Sequence, residues 1–450
     1  MNTIKTYQDL LAVGEGQGAR MAFVGKTIEE YKESAGYRVA VYSGLYYSGE
    51  NPTINHLEKI IYDLQGRAHV DMFTANHKLA SHFFRFAVDQ EVSYLLGNGI
   101  GFSDGKTTKR LPADFDQAVM DVARAAKIGG VAYGFYNLDR LYIFPAQEFV
   151  PLYDEETGAL MAGIRFWQLD REKPLRVTLY EADGFTSYRK APQKQMELLE
   201  GKKKYKVVGT RSAVGGTEIV SGENYQFFPI VPLKNGRRGL SEIVGKRNSI
   251  DALDLVSSSM VNNVDEGALI YWVLKNCGGM DDLDDARFIE RLKTVRVAHA
   301  DGDDGAEATP HTVDAPFEGT AAAIDMLKKK LYEDFQIFDA SAVTAGNQTA
   351  TAIKASYIPL DLNTDKFEAE VTRFILGILR LAGIDDVPTY TRNQIINRTE
   401  ETQALLLGAA YYDDEYITKK LLTLNGDIDQ YEEMAVRKAE QELGRTGGQE

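Results

Sequence analysis

The sequence predicts an α+β fold, because segments with two different hydrophobic periodicities follow one another along the chain. Apolar residues recur at helical spacing before residue 100 and after residue 240, whereas from Val131 short runs rich in Tyr, Phe, Ile and Val alternate with turn signals. Of the 450 residues, 44% are hydrophobic and 26% are charged, which excludes collagen-like, wholly disordered and disulfide-framework proteins. At roughly 150 residues per domain, a chain of this length predicts about two to four structural units.

Charge and cysteine content narrow the classes of function. Lys and Arg number 51 against 66 Asp and Glu, and the formal net charge of −15 is opposite in sign to what a tight nucleic-acid binder needs. The single cysteine, Cys277, excludes an internal disulfide and a thiolate zinc cluster and predicts a reducing compartment, so we expect the cytoplasm. We also expect no secretory signal, and no membrane span, because no apolar stretch approaches the ~20 residues that a bilayer requires.

Roughly the first 235 residues predict one α+β body. Leu57, Ile60, Ile61 and Leu64 recur at helical spacing and predict a helix, and so do the apolar positions between residues 79 and 88. From Val131, runs such as AYGFYNLDRLYIFPAQEFVPLYD and ALMAGIRFWQLD predict an antiparallel sheet. The basic stretch GKKKYKVVG from Gly201 predicts an exposed, hinge-like turn, and its lysines are the only dense basic cluster.

One long helix is predicted over residues 240–267, because its apolar residues form a narrow seam at two heptad positions. The seam consists of Ile243, Ile250 and Val264 at one position and Leu253 and Met260 at the other. The polar stretch SSSMVNN within it has low helix propensity, so we expect tertiary or quaternary contacts to support this helix.

A small α/β insertion and more helices are predicted after residue 267. The insertion contains the β-run ALIYWVL, the acidic helix start DDLDDARFIERLK, the strand TVRVA and the loop DGDDGAEATP. A second long helix is predicted from Thr320, with apolar residues on one face as far as Phe338, and then a loop of small residues, DASAVTAGNQTATA. We expect the next helical region to break at Pro359 and to resume over residues 365–381, and we expect the C-terminal part to be helical.

No segment has the spacing of a known catalytic or metal site. Gly25-Lys26-Thr27 lacks the first glycine of a phosphate-binding loop, because Arg20 stands at that position, and it predicts a turn at a helix start. The six histidines have no metal-ligand spacing, and the acidic loop after residue 300 lacks the glycine and glutamate of a calcium loop. We therefore expect no catalytic residue, no cofactor and no metal.

Several segments form a recognisable set along most of the chain. They are YYSGENP from Tyr46, Asn76–Leu79 with VDQEVSYLLGNGI after it, FPAQEFVPLYD with AGIRFWQ, the long run from Phe228 that includes FPIVPLKNGRRGLSEIVGKRNSIDALDLVSSSMVNNVDE, GNQTATAIK from Gly346, and INRTEET from Ile396. Together they resemble the portal proteins of tailed bacteriophages, in particular the siphophage type from Gram-positive hosts. The chain departs from that family at Phe228-Pro229-Ile230, where Pro-Phe-Gly is frequent, and at Gln348-Thr349, which replaces a Ser-Gly pair.

The resemblance implies a portal-like division of the chain. Its parts are an α/β wing (1–239), a stem helix (240–267), a small α/β clip (268–316), a second stem helix (317–338), a tunnel loop (339–352), and wing and crown helices (353–450). This order agrees with the helices and the insertion that the periodicity predicts.

The resemblance also implies a function. The chain would form a cyclic homo-oligomer, a dodecamer in the virion, that acts as the channel at one capsid vertex for DNA packaging and ejection and for head–tail joining. It would be assembled in the host cytoplasm. The implied partners are further copies of the chain, double-stranded DNA bound without sequence specificity, the terminase large subunit, scaffolding and major capsid proteins, and a head-completion adaptor, with no membrane.

Three groups of site residues follow from this resemblance. The tunnel loop would face DNA through Ala345, Gly346, Asn347, Gln348 and Thr349, and the stem would pack between subunits through Ile250, Leu253, Met260, Leu327 and Leu331. The clip would dock the terminase or the adaptor through Asp281, Asp282, Asp284 and Asp285, or these residues favour a helix dipole instead. Lys328–Lys330 either make weak phosphate contacts or form a solvated helix face.

Two alternatives remain open from the sequence. One is a monomeric cytosolic hydrolase or transferase with carboxylates near Glu148, Asp154 and Glu155. The other is a scaffold or adaptor protein that binds partners without forming a ring.

Overall fold

The computed structural model describes most of the chain, and within that part helices and antiparallel strands are mixed. The described residues are 5–62, 65–72, 74–211, 217–267, 270–275, 307–312, 317–341, 350–393 and 398–425, together with Tyr431, Met434 and Arg437. The predicted α+β class is confirmed. In these residues, no helix is long and apolar enough to cross a membrane.

Four helices begin the described chain: α1 (Tyr7–Val13), α2 (Gln17–Lys32), α3 (Ala35–Tyr47) and the short α4 (Pro52–Asn55). A capping box starts α1, because the Thr6 side chain accepts a hydrogen bond from the Asp9 N–H while the Asp9 carboxylate accepts one from the Thr6 N–H. The Gly25-Lys26-Thr27 triplet lies inside α2. The prediction of a turn there is wrong.

The segment after α4 is a β-hairpin, formed by β1 (Ile60–Tyr62) and β2 (Ala68–Val70). The helix predicted from Leu57 to Leu64 is therefore wrong, and Leu64 itself lies outside the described residues. Gly66 has a φ of 76° in the connecting turn, a conformation that favours glycine and reverses the chain before a helix can form.

The next elements are α5 (Phe83–Leu96), β3 (Ile100–Phe102), α6 (Thr107–Arg110) and α7 (Phe115–Gly129). Leu79, which the spacing placed in a helix, precedes α5 and has no regular structure. Eight residues of α5 and seven of α7 are buried, so both helices lie in the main hydrophobic core.

Two antiparallel sheets confirm the predicted sheet region. In the first, β4 (Val131–Asn137) lies between β5 (Arg140–Pro145) and β13 (Ile230–Lys234). The second is a five-stranded meander in the order β10-β9-β8-β7-β6. Its strands are β6 (Phe149–Tyr153), β7 (Leu160–Trp167), β8 (Leu175–Glu181), β9 (Gly184–Lys190) and β10 (Met196–Lys203).

The basic stretch from Gly201 is part of two strands, which corrects the prediction of a hinge-like turn. Lys202 and Lys203 end β10, and Lys206 begins β11 (Lys206–Arg211), which pairs with β12 (Thr217–Glu223). Several of these lysines have partners in their own chain, because Lys202 pairs with Glu181 and Asp183 and the Lys206 ammonium lies 4.5 Å from the Tyr225 ring centroid.

The long helix after residue 240 is α8 (Arg247–Gly267), and it begins seven residues later than predicted. Gly245 has a φ of 83°, so the chain turns between Glu242 and Lys246 before the helix starts. The next described elements are β14 (Ile270–Lys275), β15 (Glu307–Thr312) and α9 (Phe317–Phe335). Glu307–Pro310 belong to a strand, although the sequence predicted a loop there. The helix predicted from Thr320 is confirmed, but it begins three residues earlier, at Phe317, and ends at Phe335 rather than Phe338.

The helix α10 (Ala350–Ala382) passes through Pro359 without a break, so the predicted interruption is wrong. Buried side chains on both sides of the proline, among them Tyr357, Leu360 and Phe367, hold the helix in the core. Gly134 and Gly377 permit close packing of α10 on the first sheet, because an added Cβ would lie 2.6 Å from the Phe374 ring and 2.7 Å from Val231, respectively. Packing thus outweighs the cost of one lost helical hydrogen bond.

The described chain ends in β16 (Pro388–Tyr390), which pairs with β3, and in the helices α11 (Arg398–Gly408) and α12 (Asp414–Asn425). A 3₁₀ turn over Ala409–Tyr411 separates the two helices. The predicted helical C-terminal part is confirmed over these residues.

Candidate functional site

The feature that sets this chain apart from an ordinary α+β protein is an arm, which we define as α8, β14, β15 and α9. Strands β14 and β15 pair antiparallel, from Ile270 opposite Thr312 to Lys275 opposite Glu307. The two helices pack against each other, and each lies within a few residues of one of these strands. The arm is therefore a helical hairpin that carries a β-ribbon at its far end.

The base of the arm is embedded in the main hydrophobic core. Ile250 and Leu253 of α8 and Leu331 and Phe335 of α9 are all buried within the single chain. Met260 and Leu327, further along the two helices, are half-buried. The packing of the five predicted stem residues between subunits stays a prediction. Four of them, all except Met260, pack against the core of their own chain.

A row of polar side chains on α8 binds the backbone of residues 77–81, and we call these contacts the polar ladder. The Asp254 carboxylate accepts a hydrogen bond from the Ser81 N–H at 3.0 Å, and the Ser258 Oγ accepts one from the Leu79 N–H at 2.9 Å. The Asn262 Oδ1 accepts one from the His77 N–H at 2.7 Å. All three α8 side chains are buried.

The geometry of the polar ladder follows from the two chain repeats. Four residues of an α-helix rise about 6 Å, and two residues of an extended chain span about 6.6 Å. Every fourth residue of α8 can therefore face every second residue of the segment, which runs in the opposite direction. The stretch SSSMVNN, whose weak helix propensity called for outside support, obtains that support here.

Further contacts extend the polar ladder at both ends. The Tyr46 hydroxyl donates to the Asp251 Oδ1 at 2.5 Å, and the Asn51 side-chain amide donates to the Asp254 Oδ2 at 2.8 Å. At the other end, the His77 Nε2 lies 2.5 Å from the Asp265 Oδ2. Burial raises the pKa of Asp254, and the hydrogen bonds from Asn51 and Ser81 only partly oppose this effect.

A second cluster of charged groups is buried beside the start of α8, and we call it the ionic cluster. The Lys127 ammonium, whose side chain is 2% exposed, lies 2.5 Å from the Glu91 carboxylate and 3.3 Å from that of Glu242. Lys246 also pairs with Glu242. These residues come from α5, α7 and the turn before α8, so the ionic cluster joins the arm to the helices of the core.

Burial and the neighbouring charges act in opposite directions on the pKa values of the ionic cluster. Burial by itself raises the pKa of Glu242, but Lys127 and Lys246 outweigh this effect and hold the pKa at about 2. Burial likewise lowers the pKa of Lys127, but Glu91 and Glu242 outweigh it and raise the pKa above its usual value. Lys127 also lies 4.3 Å from the Phe367 ring centroid, and Lys246 lies 4.3 Å from that of Phe335. Lys127 and Glu242 are thus held in their ionised forms, whereas at the fully buried Glu91 burial outweighs the attraction of Lys127 and raises the pKa of the carboxyl.

A cavity of about 310 Å³ adjoins the ionic cluster. It is lined by the loop that carries Arg237 and Arg238, by the turn before α8, and by residues of α10 that include Lys366. Five of its thirteen lining residues are cationic and one, Glu242, is acidic, so the charged groups at this cavity are mainly positive, in contrast to the acidic chain as a whole.

Several predicted site residues can be placed only in part. The tunnel-loop residues 345–349 and the clip residues Asp281, Asp282, Asp284 and Asp285 lie outside the described residues. Lys328–Lys330 are exposed on α9, and the Lys330 ammonium lies 2.9 Å from the Asp334 carboxylate.

The carboxylates of the alternative enzyme hypothesis have structural partners. Asp154 accepts hydrogen bonds from the hydroxyl and backbone N–H of Thr157 and from the Gln8 amide, and these contacts lower its pKa. The Glu148 carboxylate lies 3.5 Å from the Arg165 guanidinium. In the part of the chain that the structure describes, no group of three or more His, Cys, Asp or Glu side chains is arranged to hold a metal.

Comparison with known proteins agrees with this architecture. The portal protein of Bacillus phage SPP1 is 26% identical over 394 residues, which cover 81% of this chain and 76% of that protein. The portal protein of Clostridium phage phiCD119 is 24% identical over 370 residues, which cover 75% of this chain and 80% of that protein. Residues 45–443 also match the family described as "Phage portal protein, SPP1 Gp6-like".

The fold, the arm and these similarities define a structural protein of the phage head. The chain belongs to the SPP1 Gp6-like family of phage portal proteins. Portal proteins are virion components that self-oligomerise and join other parts of the head, and they are not enzymes. The family resemblance seen in the sequence is confirmed, and the hydrolase or transferase alternative is wrong.

Sequence reasoning missed both the polar ladder and the ionic cluster. A signal for the first exists in Asp254, Ser258 and Asn262, which are polar and separated by four residues within a helix that also has an apolar seam. A signal for the second is Lys127, which falls on the apolar face of α7. Neither signal identifies the residues that these side chains contact, because those residues are distant in sequence.

Proposed function

We propose that this portal protein forms a closed ring of about twelve subunits that conducts double-stranded DNA at one vertex of the capsid. The ring serves DNA packaging, DNA ejection and head–tail joining. It is assembled in the host cytoplasm and remains in the virion.

The observation that carries this proposal is the arm. Two long helices that pack on each other and end in a β-ribbon are suited to line a channel, because copies related by a rotation axis place like helices side by side. The body supports the arm through the core, the polar ladder and the ionic cluster.

The parts of the ring follow the order of the chain. We assign residues 1–239 to the wing, 240–267 and 317–338 to the stem, 268–316 to the clip, 339–352 to the tunnel loop and 353–450 to the wing and crown. The tunnel-loop residues Ala345–Thr349 face DNA, and the acidic clip residues 281–285 dock the terminase large subunit or the head-completion adaptor. Scaffolding and major capsid proteins surround the wing.

The charge of the chain suits a conduit. Each subunit carries a formal net charge of −15, and phosphate contacts repeated around a ring multiply in affinity. A wall that is neutral or acidic lets DNA slide, whereas a basic wall would hold it. The DNA contact we propose is accordingly weak and independent of sequence.

Light scattering followed by negative-stain imaging of the same fractions tests the ring. We expect the wild-type chain to give closed rings with a central hole, and exclusively monomeric protein under all salt conditions would contradict the proposal. Leu255→Asp and Val264→Asp change exposed apolar residues of α8, so they should reduce ring formation without unfolding the chain. Leu169→Asp is the matched control, because Leu169 is 90% exposed in the connection between β7 and β8 and does not belong to the arm.

A further inference from the structure

A β-turn between β13 and α8 carries two adjacent arginines. The turn runs from Gly236 to Gly239, whose N–H donates to the Gly236 carbonyl at 3.2 Å, and Arg237 and Arg238 are its two central residues. Gly236 and Gly239 have φ values of 67° and 59°, a conformation that favours glycine. Both arginine side chains are exposed. The sequence Gly-Arg-Arg-Gly therefore forms a tight turn that presents two guanidinium groups to solvent.

This turn has a fixed position on the body. The Asn235 N–H donates to the Gly130 carbonyl at 2.8 Å, and the Asn235 side-chain amide donates to the Leu240 carbonyl at 2.8 Å. The Glu242 N–H, just after the turn, donates to the Lys127 carbonyl at 2.9 Å. A loop that is already held in place pays a smaller entropic cost when a ligand binds to it.

The turn lines the cavity beside the ionic cluster. Lys366 of α10 lines the same cavity, and so do Lys127 and Lys246. The Lys127 side chain is 2% exposed, so the cavity reaches from exposed guanidinium groups to a buried ammonium. A cleft that is lined mainly by charges of one sign, with protein walls of low dielectric constant, concentrates ions of the opposite sign. The cavity is therefore a favourable place for an anion.

The exposed cations of the cavity lack acidic partners. Within the described residues, the side chains of Arg237, Arg238 and Lys366 form no ion pair and no hydrogen bond. Glu242, which also lines the cavity, is already occupied, because its carboxylate accepts a hydrogen bond from the Asn235 amide at 3.0 Å and pairs with the lysines of the ionic cluster. The described chain thus supplies no counter-charge for these three cations, and an external anion would supply one.

We propose that this cavity binds a phosphate group through Arg237, Arg238 and Lys366. A guanidinium group presents paired N–H donors that match two phosphate oxygens, and a lysine adds a point charge. The cavity volume of about 310 Å³ lies at the lower end of the range for small-molecule sites, which suits a small anion. The phosphate group belongs either to a free ion or to a nucleic-acid backbone, and separate titrations distinguish these sources. All the residues involved belong to one chain, so the proposal is independent of the proposed ring.

Isothermal titration calorimetry of the full chain with inorganic phosphate, at constant ionic strength, tests the site. We expect saturable binding to the wild-type chain and an affinity at least about tenfold lower for Arg237→Gln combined with Arg238→Gln, because charge-assisted hydrogen bonds are lost. Arg171→Gln combined with Lys173→Gln is the matched control, since it removes the same charge from exposed residues between β7 and β8 that do not line the cavity. Thermal unfolding without phosphate checks that both double variants are folded.

Titrations with a short DNA duplex identify the source of the phosphate group. Binding of inorganic phosphate that depends on the two arginines assigns the cavity to a free ion. Binding of the duplex that depends on the same arginines, without any binding of inorganic phosphate, assigns it to a nucleic-acid backbone.

Three results would overturn the proposal. The wild-type chain might bind neither inorganic phosphate nor the duplex, or the two double variants might bind them equally well. Equally tight binding of malonate, a dicarboxylate, would show that the cavity selects negative charge rather than a phosphate group. Each of these results leaves the proposed ring untouched, because ring formation is measured separately by light scattering.

Discussion

Lys127 shows how single residues join the arm to the core. Its ammonium is buried between the carboxylates of Glu91 and Glu242, so its removal leaves two acidic groups in the core without their main partner. Breaking a buried ion pair from one side costs about 3–5 kcal/mol. We expect Lys127→Met to lower the free energy of unfolding by that amount, measured by urea denaturation at pH 7.

An exposed ion pair is the control for this prediction. Lys26, with 68% of its side chain exposed, lies 3.7 Å from Glu30 on α2. Pairs of this kind contribute about 1 kcal/mol or less, so Lys26→Met should change stability only slightly. Equal losses in the two variants would mean that the burial of the ionic cluster has no energetic consequence.

Asp254 makes the stability of the polar ladder depend on pH. Because burial raises the pKa of Asp254 above its unfolded value near 3.8, the folded chain binds this proton more tightly than the unfolded chain does. The free energy of unfolding contributed by this residue therefore falls as the pH rises from the unfolded pKa to the folded one. We expect Asp254→Asn, which does not titrate, to have a flatter profile than wild type when urea midpoints are measured from about pH 4 to about pH 7. Superimposable slopes would rule out this role.

At the scale of elements, the polar ladder fixes an irregular segment to a helix. Ser258→Ala removes the acceptor of the Leu79 N–H, and an unsatisfied buried donor costs about 1–3 kcal/mol. We expect the Leu79 amide to exchange its hydrogen much faster in this variant, with smaller effects at His77 and Ser81.

The neighbouring serine provides the matched control. Ser259 is exposed on α8, and alanine is the better helix former, so Ser259→Ala should leave amide exchange in residues 77–81 unchanged. Similar exchange of the Leu79 amide in the two variants would show that the contact with Ser258 does not hold the segment.

Elements with one strong periodicity could be predicted from the sequence, and elements decided by distant contacts could not. The helix α9 was predicted to within three residues of its end, since its apolar stripe is regular. Pro359 indicated a break, but the buried side chains around it keep α10 continuous. The spacing from Leu57 to Ile61 fits a helix, yet Gly66 turns the chain into a hairpin, and short apolar runs do not separate the two outcomes.

For the candidate site, the order of the helices and strands could be predicted from the sequence, but the contacts between their side chains could not. The sequence indicates helix, small insertion and helix, and this order agrees with α8, the β14–β15 ribbon and α9. The partners of Ser258 and Lys127 lie far away along the chain, so no local pattern identifies them. The same limit applies to the apolar seam at Ile250 and Leu253. Its periodicity predicts that these side chains are buried, but it does not identify the residues that cover them.

At the scale of the whole molecule, assembly brings many like charges together. Each chain carries a formal net charge of −15, so neighbouring subunits of a ring repel one another. Attraction through apolar residues, such as those exposed on the helices of the arm, depends little on ionic strength. The repulsion is screened by salt, because the Debye length falls from about 30 Å at 0.01 M to about 8 Å at 0.15 M ionic strength.

We therefore expect the fraction of chain in rings to rise when sodium chloride is increased from about 0.01 M to about 0.15 M, as measured by light scattering at one protein concentration. Sucrose at equal osmolality is the control, because it strengthens the burial of surface without screening charge. A rise with salt that clearly exceeds the rise with sucrose identifies charge repulsion as the force that opposes assembly. Rings that dissociate as salt increases would instead show that ion pairs hold the subunits together, since only attractive charge contacts are weakened by screening.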